Sequence, residues 1–218
     1  MASTPERWTA AGPIRSQAPL EIIEQEETRA AASVGEPAPL GLFAFATGTF
    51  TISTVLAGWF PASTLLFASA VVFVFAGIGQ FLAGMWAYRK GDTFAATAFG
   101  SFGSFNVSYV LYLWLHQAGL IAGPGAGTGV IGVFIACFAF IAAVLAIAAL
   151  RQNTALVVVL SLLALGYALV AASDIAAGAP NLLTYGGWAL IGSAVAAFYT
   201  GAAMVINSVN QKVVVPLG

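Results

Sequence analysis

Of 218 residues, 60% are hydrophobic and 7% are charged, where an ordinary soluble domain carries about a quarter charged. Such a chain cannot cover a globular surface with polar groups, which excludes a water-soluble globule and a disordered chain. Seven Lys+Arg against eight Asp+Glu leave no basic excess to steer toward nucleic acid.

Residues 1–36 hold nine of the fifteen formal charges, six of them acidic. They contain no apolar run of the kind that makes a signal peptide. We read them as a solvated, mobile cytoplasmic tail, in which Leu20 to Ala32 can form a short polar helix. The rest of the chain carries only Arg89, Lys90, Asp92, Arg151, Asp174 and Lys212. Between these six charges run long apolar stretches. A charge at mid-bilayer costs about 2.5–3.5 kcal/mol or more, so charge-free stretches of this length mark membrane spans.

Six spans are predicted, near 40–60, 64–88, 94–116, 127–150, 155–173 and 183–207. Each has roughly the 17–25 residues a helix needs to cross hydrocarbon. They are continuously apolar rather than alternating, which excludes barrel strands. Pro61 follows the first span and Gly91–Asp92 the second. A Gly/Pro loop at 117–126 follows the third, and the stretch from Asp174 to Asn181 precedes the sixth. The domain plan is therefore a tail (1–36), a six-span transport domain (37–210) and a short cytoplasmic tail (211–218). All seven basic residues fall on one side of this topology, so both termini are expected in the cytoplasm of a cell-membrane protein. The single cysteine, Cys137, has no partner for an intrachain disulfide.

Neutral polar groups cluster in the spans. The first carries Thr47, Thr49, Thr51, Ser53 and Thr54, and the second one carboxamide, Gln80. In the third, Ser101, Ser104, Ser108 and Tyr112 share one stripe, while Phe102, Asn106 and Tyr109 line a neighbouring face. The Ser and Thr stripes suit interhelical hydrogen bonding as well as pore lining. Gln80 and Asn106 are costlier to bury and are candidates for a wet cavity. Gly79, Ala83, Gly100, Gly103, Gly192 and Ala196 are expected to serve helix packing. His116 is the only histidine, no charge lies inside a span, and no metal or cofactor motif is present. That argues against an enzyme. It also leaves any passage furnished with neutral groups only, suited to a neutral solute or one that brings its own proton.

Two motifs carry a resemblance. Residues Glu36-Pro37-Ala38-Pro39-Leu40-Gly41-Leu42 resemble the N-P-A-P-L-G-L signature of the acetate uptake transporter family, which includes bacterial succinate–acetate permeases. Residues 77–105, GIGQFLAGMWAYRKGDTFAATAFGSFGSF, resemble that family's second conserved stretch, and Ala197-Phe198-Tyr199 with Asn207 resemble its last span. The resemblance implies an all-α, urea-channel-like six-helix bundle with a pore in each protomer, assembled as a homo-hexamer. It implies symport of acetate, related short monocarboxylates and succinate with protons. It further implies a hydrophobic constriction, which maps to Phe45, Phe102 and Leu163; Leu160 and Leu162 also fit the third position. The chain departs from the family at Glu36 for Asn, Phe102 for Tyr, Asn106 for Trp and Ala87 for an acid.

Physically, Pro at a helix start has a preset φ and needs no N–H partner. The amides of Leu40, Gly41 and Leu42 are then expected near a positive dipole end that attracts a carboxylate. Gly41 is expected to permit close approach of solute or helix. The alternative role for this motif is docking of span one. Past the apolar neck a carboxylic acid is expected to travel protonated, with Thr49, Gln80 and Asn106 offering neutral hydrogen bonds on either side. The other reading open at this point is a channel for neutral solutes such as urea or formamide.

Overall fold

Among the described residues of this computed structural model (34–121, 129–176 and 179–218, with Ile22 and Gln25) there are six long helical segments and no strand. We name them α1 (Ala38–Leu56), α2 (Ala62–Lys90), α3 (Thr93–Gln117), α4 (Val130–Ala149), α5 (Thr154–Ile175) and α6 (Pro180–Asn210). All but α3 are long and apolar enough to cross a membrane. This is an all-helical, multi-pass membrane protein. The expected tail lies almost wholly outside the described residues; Ile22 and Gln25 within it are helical and exposed. The start expected for span four, at 127, also lies outside them, and α4 is described from Val130.

The sequence explains the boundaries. Gly91, at φ 79°, ends α2 in the left-handed conformation that glycine adopts without strain. Asp92 then opens α3 by accepting from the Ala95 amide at 2.9 Å. Asn153 opens α5 in the same way, from the Leu156 amide at 2.9 Å. α1 departs from expectation. Pro37 is its N-cap and Pro39 its second residue, and Glu36 supplies the cap, Oε1 accepting from the Ala38 amide at 3.3 Å. The other carboxylate oxygen of Glu36 pairs with Lys90 at the end of α2. A residue poor at local capping is thus held there by a charge from another helix.

α2 also differs from the uninterrupted α-helix expected. It begins as a 3₁₀ turn (Ala62–Thr64), becomes α-helical (Leu65–Val71), widens into a π segment (Val72–Gly79) and returns to α-helix (Gln80–Lys90). A π segment shifts the facing of everything after it, and such segments recur at functional sites.

Each helix packs on its neighbours in chain order, and α6 returns to α1, so the six close a ring. Glycine permits close approach between α2 and α3. A Cβ on Gly103 would lie 2.6 Å from the Phe81 amide nitrogen, so no larger residue fits there. Gly79, Gly100 and Gly192, also assigned to packing, are less tightly met, with the nearest atoms at 3.2–3.9 Å. The C-terminal residues do not hang free. Asn207 Oδ1 accepts from the Val214 and Val215 amides, and its Nδ2 donates to Val215 O. Tyr199 donates to Pro216 O, and the Ala155 amide donates to Leu217 O. The tail is strapped across α6 onto the first turn of α5.

Candidate functional site

Inside the ring lie two cavities. The larger, about 240 Å³, opens at the end where α1, α3 and α5 begin; Glu36, Asp92 and Asn153 stand at its mouth. The smaller, about 40 Å³, lies further along the same three helices. The two cavities share no lining residue.

The transition between them takes one helical turn on each of three helices. On α1, Phe45 faces the large cavity and Thr49 the small one. On α3, Phe102 faces the large cavity and Asn106 the small one. On α5, Leu163 faces the large cavity and Tyr167 the small one. Residues four apart lie one above the other on a helix, so three i, i+4 pairs fix an apolar layer followed by a polar layer. The apolar layer is closed: Phe45, Phe102 and Leu163 are 3%, 2% and 1% exposed. The Phe45 and Phe102 rings meet at 6.4 Å between centroids, tilted by 45°. Leu160 lines the large cavity too, one turn short of this layer; Leu162 is not among the lining residues of either cavity.

Beside this neck runs a pair of amides. Gln80, 1% exposed, lines the large cavity and Asn106, 8% exposed, the small one. Asn106 Nδ2 donates to Gln80 Oε1 at 3.4 Å and to the carbonyl of Ala76, within the π segment, at 3.2 Å. Two acceptors fix which end of the Asn106 amide is nitrogen and leave Oδ1 free of any donor among the described residues. The structure therefore brings together all six residues expected on sequence grounds as neck and pathway.

Other expectations changed. The Gly41 amide is closed onto Pro37 O at 3.1 Å, and Glu36 holds that of Ala38, so the start of α1 does not present a free row of amides. A Cβ on Gly41 would lie 2.7 Å from the Phe99 ring. The glycine admits a neighbouring helix's side chain rather than a solute, and Phe99 in turn lines the large cavity. The serine stripe of α3 faces outward: Ser104 and Ser108 are exposed, and Ser104 donates to Gly100 O at 2.8 Å. Thr51 and Thr54 bond carbonyls one turn back, at 2.7 Å each. Of the hydroxyls expected on span one, Thr49 alone lines either of these two cavities.

Tyr167 and the neighbouring rings were not singled out. Tyr167 packs 6.3 Å from Phe102 and 5.0 Å from Phe105, which also contacts Phe134 and Phe138 of α4. The readable signal was its spacing, one turn after Leu163, matching Phe45 to Thr49 and Phe102 to Asn106. Among the described residues no cluster of His, Cys, Asp or Glu could hold a metal ion.

The sequence model described as the GPR1/FUN34/yaaH family matches residues 23–218. The chain is 30% identical to a succinate-acetate/proton symporter, SatP, of Escherichia coli strain K12, over 85% of this chain and 96% of that one. It is 31% identical to acetate permease A of Emericella nidulans, over 83% of this chain and 65% of the permease. A solved structure, described as that of the bacterial acetate channel SatP, superposes with a TM-score of 0.79 at 29% identity. That match covers 85% of this chain and 100% of the other.

Proposed function

The chain belongs to the GPR1/FUN34/YaaH family, and from that premise we propose that it is a membrane transporter or channel passing acetate and related short carboxylic acids, succinate among them, together with protons. The observation that carries the mechanism is the closed apolar layer of Phe45, Phe102 and Leu163 between two cavities, with no charged side chain in the layer.

In this mechanism an acid enters the larger cavity from the end where α1, α3 and α5 begin. Three helix N-termini meet there, favouring anions, while Glu36 and Asp92 temper that field. The neck itself cannot stabilise a carboxylate, because an unpaired charge in an apolar layer costs several kcal/mol. The acid takes up a proton, passes as the neutral species, and is received by Thr49 and Asn106 beyond. The Gln80–Asn106 amide pair offers hydrogen bonds on both sides of the neck. Pro37 to Leu42 serve to start α1 and to dock it, with Gly41 seating Phe99. In the same proposal all six helices cross the membrane, α3 turning its amide inward. The passage lies within each protomer of a homo-hexamer, and both termini are cytoplasmic, as the one-sided basic residues suggest. Residues 1–36 and 211–218 flank a transport domain at 37–210.

The test is uptake of labelled acetate into proteoliposomes, less the uptake of protein-free vesicles, between pH 8 and 5. A short carboxylic acid has a pKa of roughly 4–5, so its neutral fraction rises about tenfold for each pH unit lost above that value. Protein-dependent uptake should rise as external pH falls. Uptake that is flat across this range counts against proton-linked passage, and competition by urea but not by acetate counts against an acid substrate.

A further inference from the structure

Tyr167 carries a hydroxyl that the packing does not use. The residue is 7% exposed, and its ring is fixed between Phe102 and Phe105. Burial at this level normally brings a phenol a partner. Among the described residues no hydrogen bond reaches it, and it lines the small cavity beyond the neck. Thr49, also 7% exposed, lines the same cavity, as does Asn106, whose Oδ1 is left free by the two acceptors that hold its nitrogen. A volume of about 40 Å³ holds roughly three water-sized groups, the heavy-atom count of a carboxyl group.

We propose that Tyr167 is a specificity-determining residue of the passage, its hydroxyl receiving the undissociated carboxyl group on the far side of the neck. The proposal rests on the acid-transport reading above. Tyr167 donates to the carbonyl oxygen of the acid, and Asn106 Oδ1 accepts the acid O–H. One neutral donor and one neutral acceptor match the C=O and O–H of COOH. This pair lacks the cation or convergent N–H donors that a carboxylate would need. The phenol stands at the first point where the neutral acid leaves the apolar layer, one turn beyond Leu163. It therefore replaces, on α5, the hydroxyl that Phe102 does not offer on α3.

The test compares wild type with Tyr167→Phe in proteoliposomes at pH 5.5, measuring KM and maximal rate for labelled acetate against protein-free vesicles. The substitution keeps the ring that Phe102 and Phe105 pack on, and thermal stability in detergent verifies the fold. The expected result is a KM raised about threefold to tenfold, the worth of one neutral hydrogen bond, with maximal rate little changed. Thr49→Val, which removes another hydroxyl lining the same cavity, should raise KM in the same sense. The double variant Phe102→Tyr/Tyr167→Phe should recover part of the lost affinity, which a purely structural role for the phenol would not produce. A KM for Tyr167→Phe equal to that of wild type, in vesicles where wild type transports acetate, overturns the assignment of Tyr167 alone. Wild-type vesicles without protein-dependent acetate uptake overturn the function and this site with it.

Discussion

Phe102 meets more rings than either other residue of the apolar layer: Phe45 on α1, Phe138 on α4 and Tyr167 on α5, at ring-centroid separations of 6.4, 6.4 and 6.3 Å. Truncation to alanine leaves a cavity in the one layer that separates the two chambers. Phe102→Ala should therefore raise the uptake of butyrate relative to acetate several-fold; an unchanged ratio would place the size filter elsewhere. Asn106 makes the opposite case. Its cavity of about 40 Å³ cannot hold an indole. Asn106→Trp should fill the smaller cavity at a cost of about 1–3 kcal/mol in overpacking. It would also break the amide pair with Gln80, so acetate uptake should fall at least tenfold while the protein still elutes as one species in gel filtration. Wild-type uptake by that variant would put position 106 off the route. These residues were legible because burying an amide in an apolar span is costly enough to demand a reason. Tyr167 was not, because a tyrosine in a motif-free span is as well explained by packing, and only its register with two other helices gives it away.

The helices themselves were legible where punctuation is local. Gly91–Asp92 reads directly as a stop and a start, and the observed cap bond bears it out. The π segment of α2 was not legible, since Val72 to Gly79 is uniformly apolar and any helical period fits it. Yet that segment presents the Ala76 carbonyl to Asn106 and turns Gln80 into the larger cavity. The strap was hidden for another reason: Asn207 reads as one more residue of α6, and its bonds to the backbone seven and eight residues on need the chain to fold back until Leu217 meets Ala155. Asn207 holds it with three hydrogen bonds of 2.7–2.9 Å. At roughly 0.5–1.5 kcal/mol each before solvent competition, they set the stability of the fold-back at about 2 kcal/mol. Asn207→Ala should release residues 211–218, seen as faster carboxypeptidase trimming and a lower thermal midpoint. Trimming at the wild-type rate would mean that Tyr199 and the Ala155 amide suffice to hold the tail.

At the scale of the whole molecule the governing pattern is the placement of charge. The charged residues described stand at helix ends or in the segments between and beyond them, and the inner faces of α1, α3 and α5 carry none between Asp92 and Asn153 at one mouth and the smaller cavity. That pattern was readable from the positions of the charges along the sequence, because lipid and an apolar neck exclude charge for the same dielectric reason. The closed ring was not readable from composition, since ring closure depends on α6 meeting α1 across the length of the chain. If the neck passes only neutral species, acids of equal size should be sorted by acidity. Fluoroacetate is close to acetate in volume and a stronger acid, so at a fixed pH above both pKa values its neutral fraction is smaller. At equal total concentration its protein-dependent uptake should be slower than that of acetate by the ratio of the two neutral fractions, and lowering the pH should raise both in parallel. Equal rates for the two acids would mean that the anion crosses, which an uncharged layer of Phe45, Phe102 and Leu163 does not allow unless it opens wide enough to admit water.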